Sequence, residues 1–468
     1  MNRKAALFGI VAILLLAVAA FPVCAWGADN AFTDVRAGDW FYDAVQYVDM
    51  NGLMRGESAA RFVPDGSVTR GMIVTAIYRM EGSPKITAAC PFRDVAAGMW
   101  YKDGITWAAA NDIVTGYTAA TFGPDDLISR EQLAAICYRY AVYKGYDVSE
   151  RADLSNYYDA KTISSWAKDA FAWCGAVGLI NGTGSLLLEP GGRSTRAQAA
   201  AILMRFEQNV TLKQCETASV PILTYHNVAD GASETVISPA MLESHFAALK
   251  KAGYQAVLLS DLRDYVLYGD PLPKKPLVIT FDDGYLSNYS QAFPLLKKHD
   301  MKAVFFIIGV SFGQSTYKNT GIAIEPHFGT KEAKEMLASG RVELGSHSYD
   351  MHQWRPYETG PVVRENLKML PGDTPDSYKA AVRADARRFT AFYQQSVGGS
   401  TALFSYPRGA VTADAAAILR EEGFTITATS ETGINTIVRG LPRSLQGLRR
   451  FNVDGDMTAD QVLAMIGE

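Results

Sequence analysis

The chain has 468 residues, of which 48% are hydrophobic and 20% charged, with a formal net charge of −4 and a pI near 6.0. It is too long for one ordinary domain, and its balance is that of a folded protein. A mildly acidic chain gives no electrostatic case for binding nucleic acid.

At the N-terminus Arg3 and Lys4 precede an uncharged apolar run from Ala5 to Trp26, with the small residues Ala25 and Gly27 suited to cleavage. This predicts a secretory signal peptide over 1–27, an exported product, and no stable membrane span once it is removed. The alternative is an uncleaved anchor, because the run is just long enough to cross a bilayer. Beyond Cys24 there are only Cys90, Cys137, Cys174 and Cys215, too few for a disulfide framework and without zinc-knot spacing.

The sequence then repeats itself. Asp34, Trp40, Asp43, Pro64 and Arg70 recur as Asp94, Trp100, Asp103, Pro124 and Arg130, and four of these five recur again as Trp166, Asp169, Pro190 and Arg196. Such periodicity marks a small unit that buries its apolar face against its neighbours. Each unit predicts two helices, the second opening at Thr69, Ser129 or Thr195, with Ser129/Gln132 and Thr195/Gln198 fitting the capping box. Cys137 and Cys174 fall on core positions of these helices, while Cys90 and Cys215 lie in linkers where a pairing is open. Arg70, Arg130 and Arg196 directly follow the caps, where the helix dipole disfavours a cation. Two explanations stand: an anion shared with free backbone N–H groups, or an ion pair between repeats involving Asp34 or Asp94.

The segments "FTDVRAGDWFYDAVQYVDMNGLMRGES", "FRDVAAGMWYKDGITWAAANDIVTGYT" and "YDAKTISSWAKDAFAWCGAVGLINGTG", with "VTRG", "ISRE" and "STRA", resemble three S-layer homology repeats. Their boundaries would be 28–88, 89–150 and 151–212. The resemblance implies a mainly α-helical, three-pronged unit that binds pyruvylated secondary cell-wall polysaccharide. By position, Arg70, Arg130 and Arg196 would contact the ketal carboxylate, and the product would be secreted and bound to the cell wall. The family's acidic residue survives only as Glu131, with Met72 and Gln198 in the other two places.

From about Pro221 short apolar runs alternate with helical stretches: "LVITF", "NYSQAFPLLKKHD", "KAVFFII", "KEAKEMLASG", "VELGSHS", "ADAAAILREEG", "FTITATS". Alternation of this kind implies parallel strands, with chemistry at their C-terminal ends. Asp282, Asp283 and Gly284 stand at one such end, and His347 and His352 at another. Residues five apart on a regular helix diverge by about 140°, so the histidines need a turn if they are to meet one ion. Two imidazoles and a carboxylate with open positions make a hydrolytic metal site, leaving the second carboxylate as a base. Taken singly, Asp-Asp-Gly is a common turn and a histidine is usually a satisfied polar group. Their joint placement at strand ends is what argues for a site.

"ITFDDGY", "ELGSHSYDMH" and "FSYPRGA", with "PILTYHNV" and "LRRFNV", are similar to the motifs of polysaccharide deacetylases of the NodB-homology type, carbohydrate esterase family four. The resemblance covers about 219–456 of a domain set at 216–468. It implies an α/β distorted (β/α) barrel that removes acetyl groups from N-acetylhexosamine polymers with a divalent metal. Asp282 would be the general base, and Asp283, His347 and His352 the metal ligands. The backbone N–H of Arg408 would stabilise the oxyanion, with Tyr406 and Pro407 lining the groove. Zinc is the first expectation, and nickel, cobalt or iron would fit the same ligands. The fifth motif here has no histidine to act as general acid. The proton for the leaving amine must then come from elsewhere, from Asp282 once protonated or from solvent. His226, at an apparent strand end, has two readings, an approach to the site or a structural role, and Arg450 is a candidate to orient Asp282. Residues 311–330, rich in Gly, Ser and Thr, read as a lid or a disordered insertion that shapes specificity.

The expected protein is therefore a wall-anchored metal-dependent N-deacetylase of peptidoglycan or another acetylated surface glycan. One rival is an O-acetyl esterase on xylan-like polymers, whose better leaving group needs no strong acid. A second is a non-catalytic surface glycan-binding protein, which has no need of a free base beside metal ligands. A glycoside hydrolase fits poorly, because its two carboxylates face each other across the bond.

Overall fold

Residues 32–184, 186–358, 360 and 362–467 are described by the computed structural model; the expected signal peptide, with Cys24, lies outside them. Six helices carry the N-terminal region: α1 (Tyr42–Met50), α2 (Arg70–Met80), α3 (Lys102–Ala110), α4 (Arg130–Tyr143), α5 (Lys168–Ala176) and α6 (Arg196–Arg205). The predicted starts of α2, α4 and α6 are met. Thr69 accepts the Met72 N–H, and Ser129 with Gln132 and Thr195 with Gln198 form complete capping boxes.

These helices pack across unit boundaries, α2 on α3, α4 on α5 and α6 on α1, so the head closes into a ring. The three arginines tie the ring. Arg70 donates from Nε and Nη2 to the carbonyls of Phe122 and Thr115 (3.0 and 3.1 Å). Arg130 does the same to Leu188 and Asn181 (2.8 and 2.7 Å), and Arg196 to Phe62 and Arg55. Each is 6% exposed or less. The N–H groups expected to be free for an anion are also engaged: those of Arg70, Arg130 and Arg196 reach Asp126, Gly192 and Gly66 carbonyls.

Asp34 and Asp94 are not the arginines' hydrogen-bonding partners. Asp34 accepts from Phe62 and Val63 N–H, and Asp94 from Phe122 and Gly123 N–H. Asp159 plays the same part for Leu188 and Glu189. The repeat pattern missed Asp159 because it stands one residue further from Trp166 than Asp34 does from Trp40. Cys137 and Cys174 are buried in the head core as expected, and all four described cysteines are free, so Cys90 and Cys215 do not pair.

A short α7 (Leu212–Gln214) leads into the second region. Its strands are β1 (Thr217–Val220), β2 (Ile222–Tyr225), β3 (Asn227–Val228), β4 (Val236–Ile237), β5 (Gln255–Ala256), β6 (Pro276–Phe281), β7 (Ala303–Ile307), β8 (Val342–Ser346), β9 (Leu403–Ser405), β10 (Ile426–Ala428), β11 (Asn435–Val438) and β12 (Phe451–Asn452). Its helices are α8 (Pro239–Lys251), α9 (Leu259–Tyr268), α10 (Phe293–His299), α11 (Thr330–Ala338), α12 (Pro375–Ser396), α13 (Ala413–Glu421) and α14 (Ala459–Met465). The main sheet is parallel throughout, in the order β10-β9-β8-β7-β6-β2-β12, with β5 also on β6. The segment before β12 closes it, since Thr429 N–H reaches Leu448 O (2.8 Å) and Leu448 N–H reaches Thr427 O (2.7 Å). Every residue of β6 and β7 is buried, which is why both strands read as unbroken apolar runs.

Head and barrel share a polar seam. Arg443 pairs with Glu207, which also accepts the Tyr47 hydroxyl (2.8 Å), and donates to Met80 O (3.0 Å). Arg55 meets Asp414 at 3.1 Å, and Met50 enters the barrel's core cluster.

Candidate metal centre

The main strands run in one direction, so β2, β6, β8 and β9 all deliver side chains to the same end of the barrel. β6 stops at Phe281, and Asp283 then adopts φ 73° and Gly284 φ 82°. A side chain at Gly284 would bring its Cβ within 2.9 Å of Ile307, so the turn needs glycine. A left-handed aspartate is unusual and strained, and such strain concentrates at functional positions.

The histidines, five positions apart, can meet because the chain turns sharply after β8. Ser348 takes φ 72°, and its Oγ accepts the Met351 N–H (3.0 Å). His347 and His352 then meet at 4.9 Å between ring centroids. Their Nε2 atoms lie 3.7 and 3.6 Å from Asp283 Oδ1, and one atom from each of the three residues falls within 4.8 Å of the others. Zinc at about 2.1 Å from tetrahedral ligands separates them by about 3.4 Å. Asp283 Oδ1 is buried without a hydrogen-bond partner, which is what a cation would relieve. The chemistry of the donors and this orphaned oxygen both fit a divalent ion.

Surrounding groups prepare the ligands. His347 Nδ1 lies 2.8 Å from the Ser405 carbonyl, which places the ring proton there and leaves Nε2 bare. Burial pushes His352 down to about 4, against the pull of Asp283, so the imidazole is neutral at ordinary pH. Burial would raise Asp283, yet His352, His226 and His347 together hold its carboxyl below the usual range.

Asp282 is 3% exposed and turns the other way. Arg450 donates Nη1 to Oδ1 and Nη2 to Oδ2, both at 2.8 Å, and is itself fixed by Thr429 O (2.7 Å) and Ser405 Oγ (2.9 Å). Burial alone would raise Asp282; the Arg450 guanidinium, and then His347, outweigh it and hold the carboxyl well below the ordinary carboxylate range. Asp282 Oδ2 lies 3.8 Å from His347 Nε2, so Asp282 stands beside the three candidate ligands.

The remaining expected residues divide. Arg408 sits at φ 54° in the turn Pro407–Gly409, exposed, with its charge felt at His352. Tyr406 does not line an open groove. It is 1% exposed, its ring lies 5.3 Å from Phe404, and Pro407 is buried as well. The turn that presents Arg408 forces the preceding tyrosine inward. His226, at the end of β2, is held by Asn288 Nδ2 on its carbonyl (2.7 Å), and its Nδ1 is buried without a partner. Residues 311–330 form an ordered flap, with Tyr285 bridged to His327 and Lys318 paired with Asp350 (2.7 Å) and Glu358.

Comparison with known proteins gives a family match for each of the two regions. The polysaccharide deacetylase profile matches residues 269–427, and the S-layer homology domain profile matches 31–71 and 91–134. Over 227 residues the chain is 29% identical to the poly-beta-1,6-N-acetyl-D-glucosamine N-deacetylase of Escherichia coli (strain K12), covering 45% of this chain. It spans only 34% of that relative's length. It is 29% identical over 238 residues to the surface-layer 125 kDa protein of Lysinibacillus sphaericus, covering 49% of this chain and 19% of that protein. Among solved structures, IcaB from Ammonifex degensii is 28% identical with a TM-score of 0.44, covering 53% of this chain and 97% of that one. The chain thus carries a polysaccharide deacetylase domain over residues 269–427, joined to S-layer homology domains at its N-terminus.

Proposed function

We propose that this protein is a cell-surface, metal-dependent N-deacetylase acting on an N-acetylhexosamine polymer, held on the wall by three S-layer homology units. The observation that carries the reading is the pairing of Asp283, His347 and His352 around an orphaned oxygen, with a separately anchored Asp282 beside them. A divalent ion there, zinc first, would supply Lewis acidity toward the acetyl carbonyl and toward water. Asp282 accepts the proton of the attacking water, and Arg450 keeps it ionised and aimed. The Arg408 backbone N–H stabilises the charge that develops on the carbonyl oxygen. His226, at the end of β2 with its Nδ1 buried and without a partner, supplies the proton to the leaving amine in place of the missing fifth-motif histidine.

The helical ring supports wall attachment, with Arg70, Arg130 and Arg196 contributing by fixing the surfaces between units that a polysaccharide would meet. The decisive experiment is acetate release by the purified chain from N-acetylglucosamine oligomers and peptidoglycan, with zinc, with chelator, and with Asp282→Ala. Zinc-dependent release that the variant loses supports the reading. Turnover of O-acetyl xylan alone would instead make the protein an esterase. Silence on both substrates with no bound metal would leave a glycan-binding surface protein.

A further inference from the structure

The two imidazoles stand on opposite sides of a turn that no secondary structure holds. His347 is fixed directly, by β8 and by the Ser405 carbonyl. His352 lies beyond four residues, Ser348 to Met351, that make neither helix nor strand. Something outside the turn must take up its backbone donors, or the second ligand would wander. Asp385, on the middle of α12, does this. Its Oδ2 accepts the Tyr349 N–H at 2.9 Å, and its Oδ1 accepts the Asp350 N–H at 2.7 Å. The side chain is 8% exposed although it is charged and far from the sequence motifs. Arg388, one turn further along α12, lies over the Tyr349 ring at 4.6 Å. On the other side Gly309 and Val310 N–H groups bind the carbonyls of Ser348 and Tyr349 (3.1 and 3.0 Å).

We propose that Asp385 is the positioning residue of the metal centre, a two-oxygen clasp from α12 that sets the turn of residues 348–351 and so brings His352 to within ligand distance of His347 and Asp283. The inference rests on the metal-centre reading and deepens it. It also accounts for the spacing of five: with a carboxylate receiving two successive N–H groups, the turn needs no helical register. An asparagine cannot replace the clasp, because its amide nitrogen donates and leaves one N–H without an acceptor.

The test is zinc affinity of the full chain, measured by competition with a chromogenic chelator, together with the visible spectrum of the cobalt-loaded protein. Asp385→Asn is expected to weaken zinc binding roughly ten- to a hundredfold, the range found when outer partners of metal ligands are removed, and to shift the cobalt bands. Thr374→Ala is the control, since Thr374 caps α12 at its far end through the Ser377 N–H (3.1 Å). It should lower the melting temperature and leave zinc affinity unchanged. Asp385→Asn binding zinc as the parent does would overturn the proposal. So would an equal loss in Thr374→Ala, because affinity would then follow helix stability alone. A parent chain that takes up no zinc removes the metal reading itself, and this inference with it.

Discussion

Both oxygens of Asp282 receive hydrogen bonds from Arg450, so removing the guanidinium strands a buried carboxylate without its counter-charge. Arg450→Met should therefore lower stability by about 3–5 kcal/mol, read as a fall in melting temperature, and reduce kcat/KM at least a hundredfold. Arg450→Lys should recover part of the stability and little of the rate, because an ammonium cannot match the fork. Gly284→Ala is expected to destabilise by about 1–3 kcal/mol, checked by denaturant unfolding, since its φ of 82° and its contact with Ile307 both oppose a side chain. At this scale the sequence was generous. Asp282, Asp283, His347 and His352 were legible because each motif ends a strand, whereas nothing local tied Arg450 to Asp282, 168 residues away. Tyr406 was misjudged, because a motif records which residues adjoin but not which way a turn points them. Asp385 left no local signal, since it lies 33 residues beyond His352 and meets the site only through the tertiary fold.

The helices of the head show a different balance. Caps and apolar spacing announced α2, α4 and α6, and the arginine after each cap stood out, but its hydrogen bonds go neither to an anion nor to Asp34 or Asp94. Its partner was not legible, because backbone carbonyls of another unit carry no sequence signature. Each arginine reaches two such carbonyls, and two of them also pack on a ring, Arg70 over Phe122 at 4.4 Å and Arg196 over Phe62 at 4.5 Å. Replacing Arg130 by Met should leave the Leu188 and Asn181 carbonyls without these donors and cost about 2–4 kcal/mol, visible as an earlier unfolding step of the head. The flap over 311–330 belongs here too: its composition suggested looseness, yet paired contacts with residues 350–358 fix it.

Across the whole molecule, the head and barrel meet through groups whose ionisation depends on the contact. Burial first, with Asp414 adding repulsion against the help of Arg55, raises Asp49 to about 6. A carboxyl whose pKa is raised by folding favours the native state when protonated. Its stabilising contribution is full below about pH 4 and fades as pH rises through about 6. Asp49→Asn should flatten the stability profile across that window and raise stability at neutral pH by up to about 3 kcal/mol, measured as melting temperature against pH for the two chains. The division of the sequence into a repeating half and an alternating half was plain from periodicity. The seam between them was not, because Arg443, Glu207 and Tyr47 lie in three unrelated segments.

The passage from head to barrel is short: α7 ends at Gln214 and β1 begins at Thr217. A flexible tether lets an enzyme sample a volume that grows with its length, and here there is almost none. On the proposed function, and with Arg443 and Glu207 joining the two bodies as well, a wall-attached molecule would have next to no foraging radius. It would act only on the glycan within arm's length of its own anchorage. The pattern of modified sugars would then copy the map of anchoring sites, patch by patch, and spread only as the wall itself grows or new molecules settle.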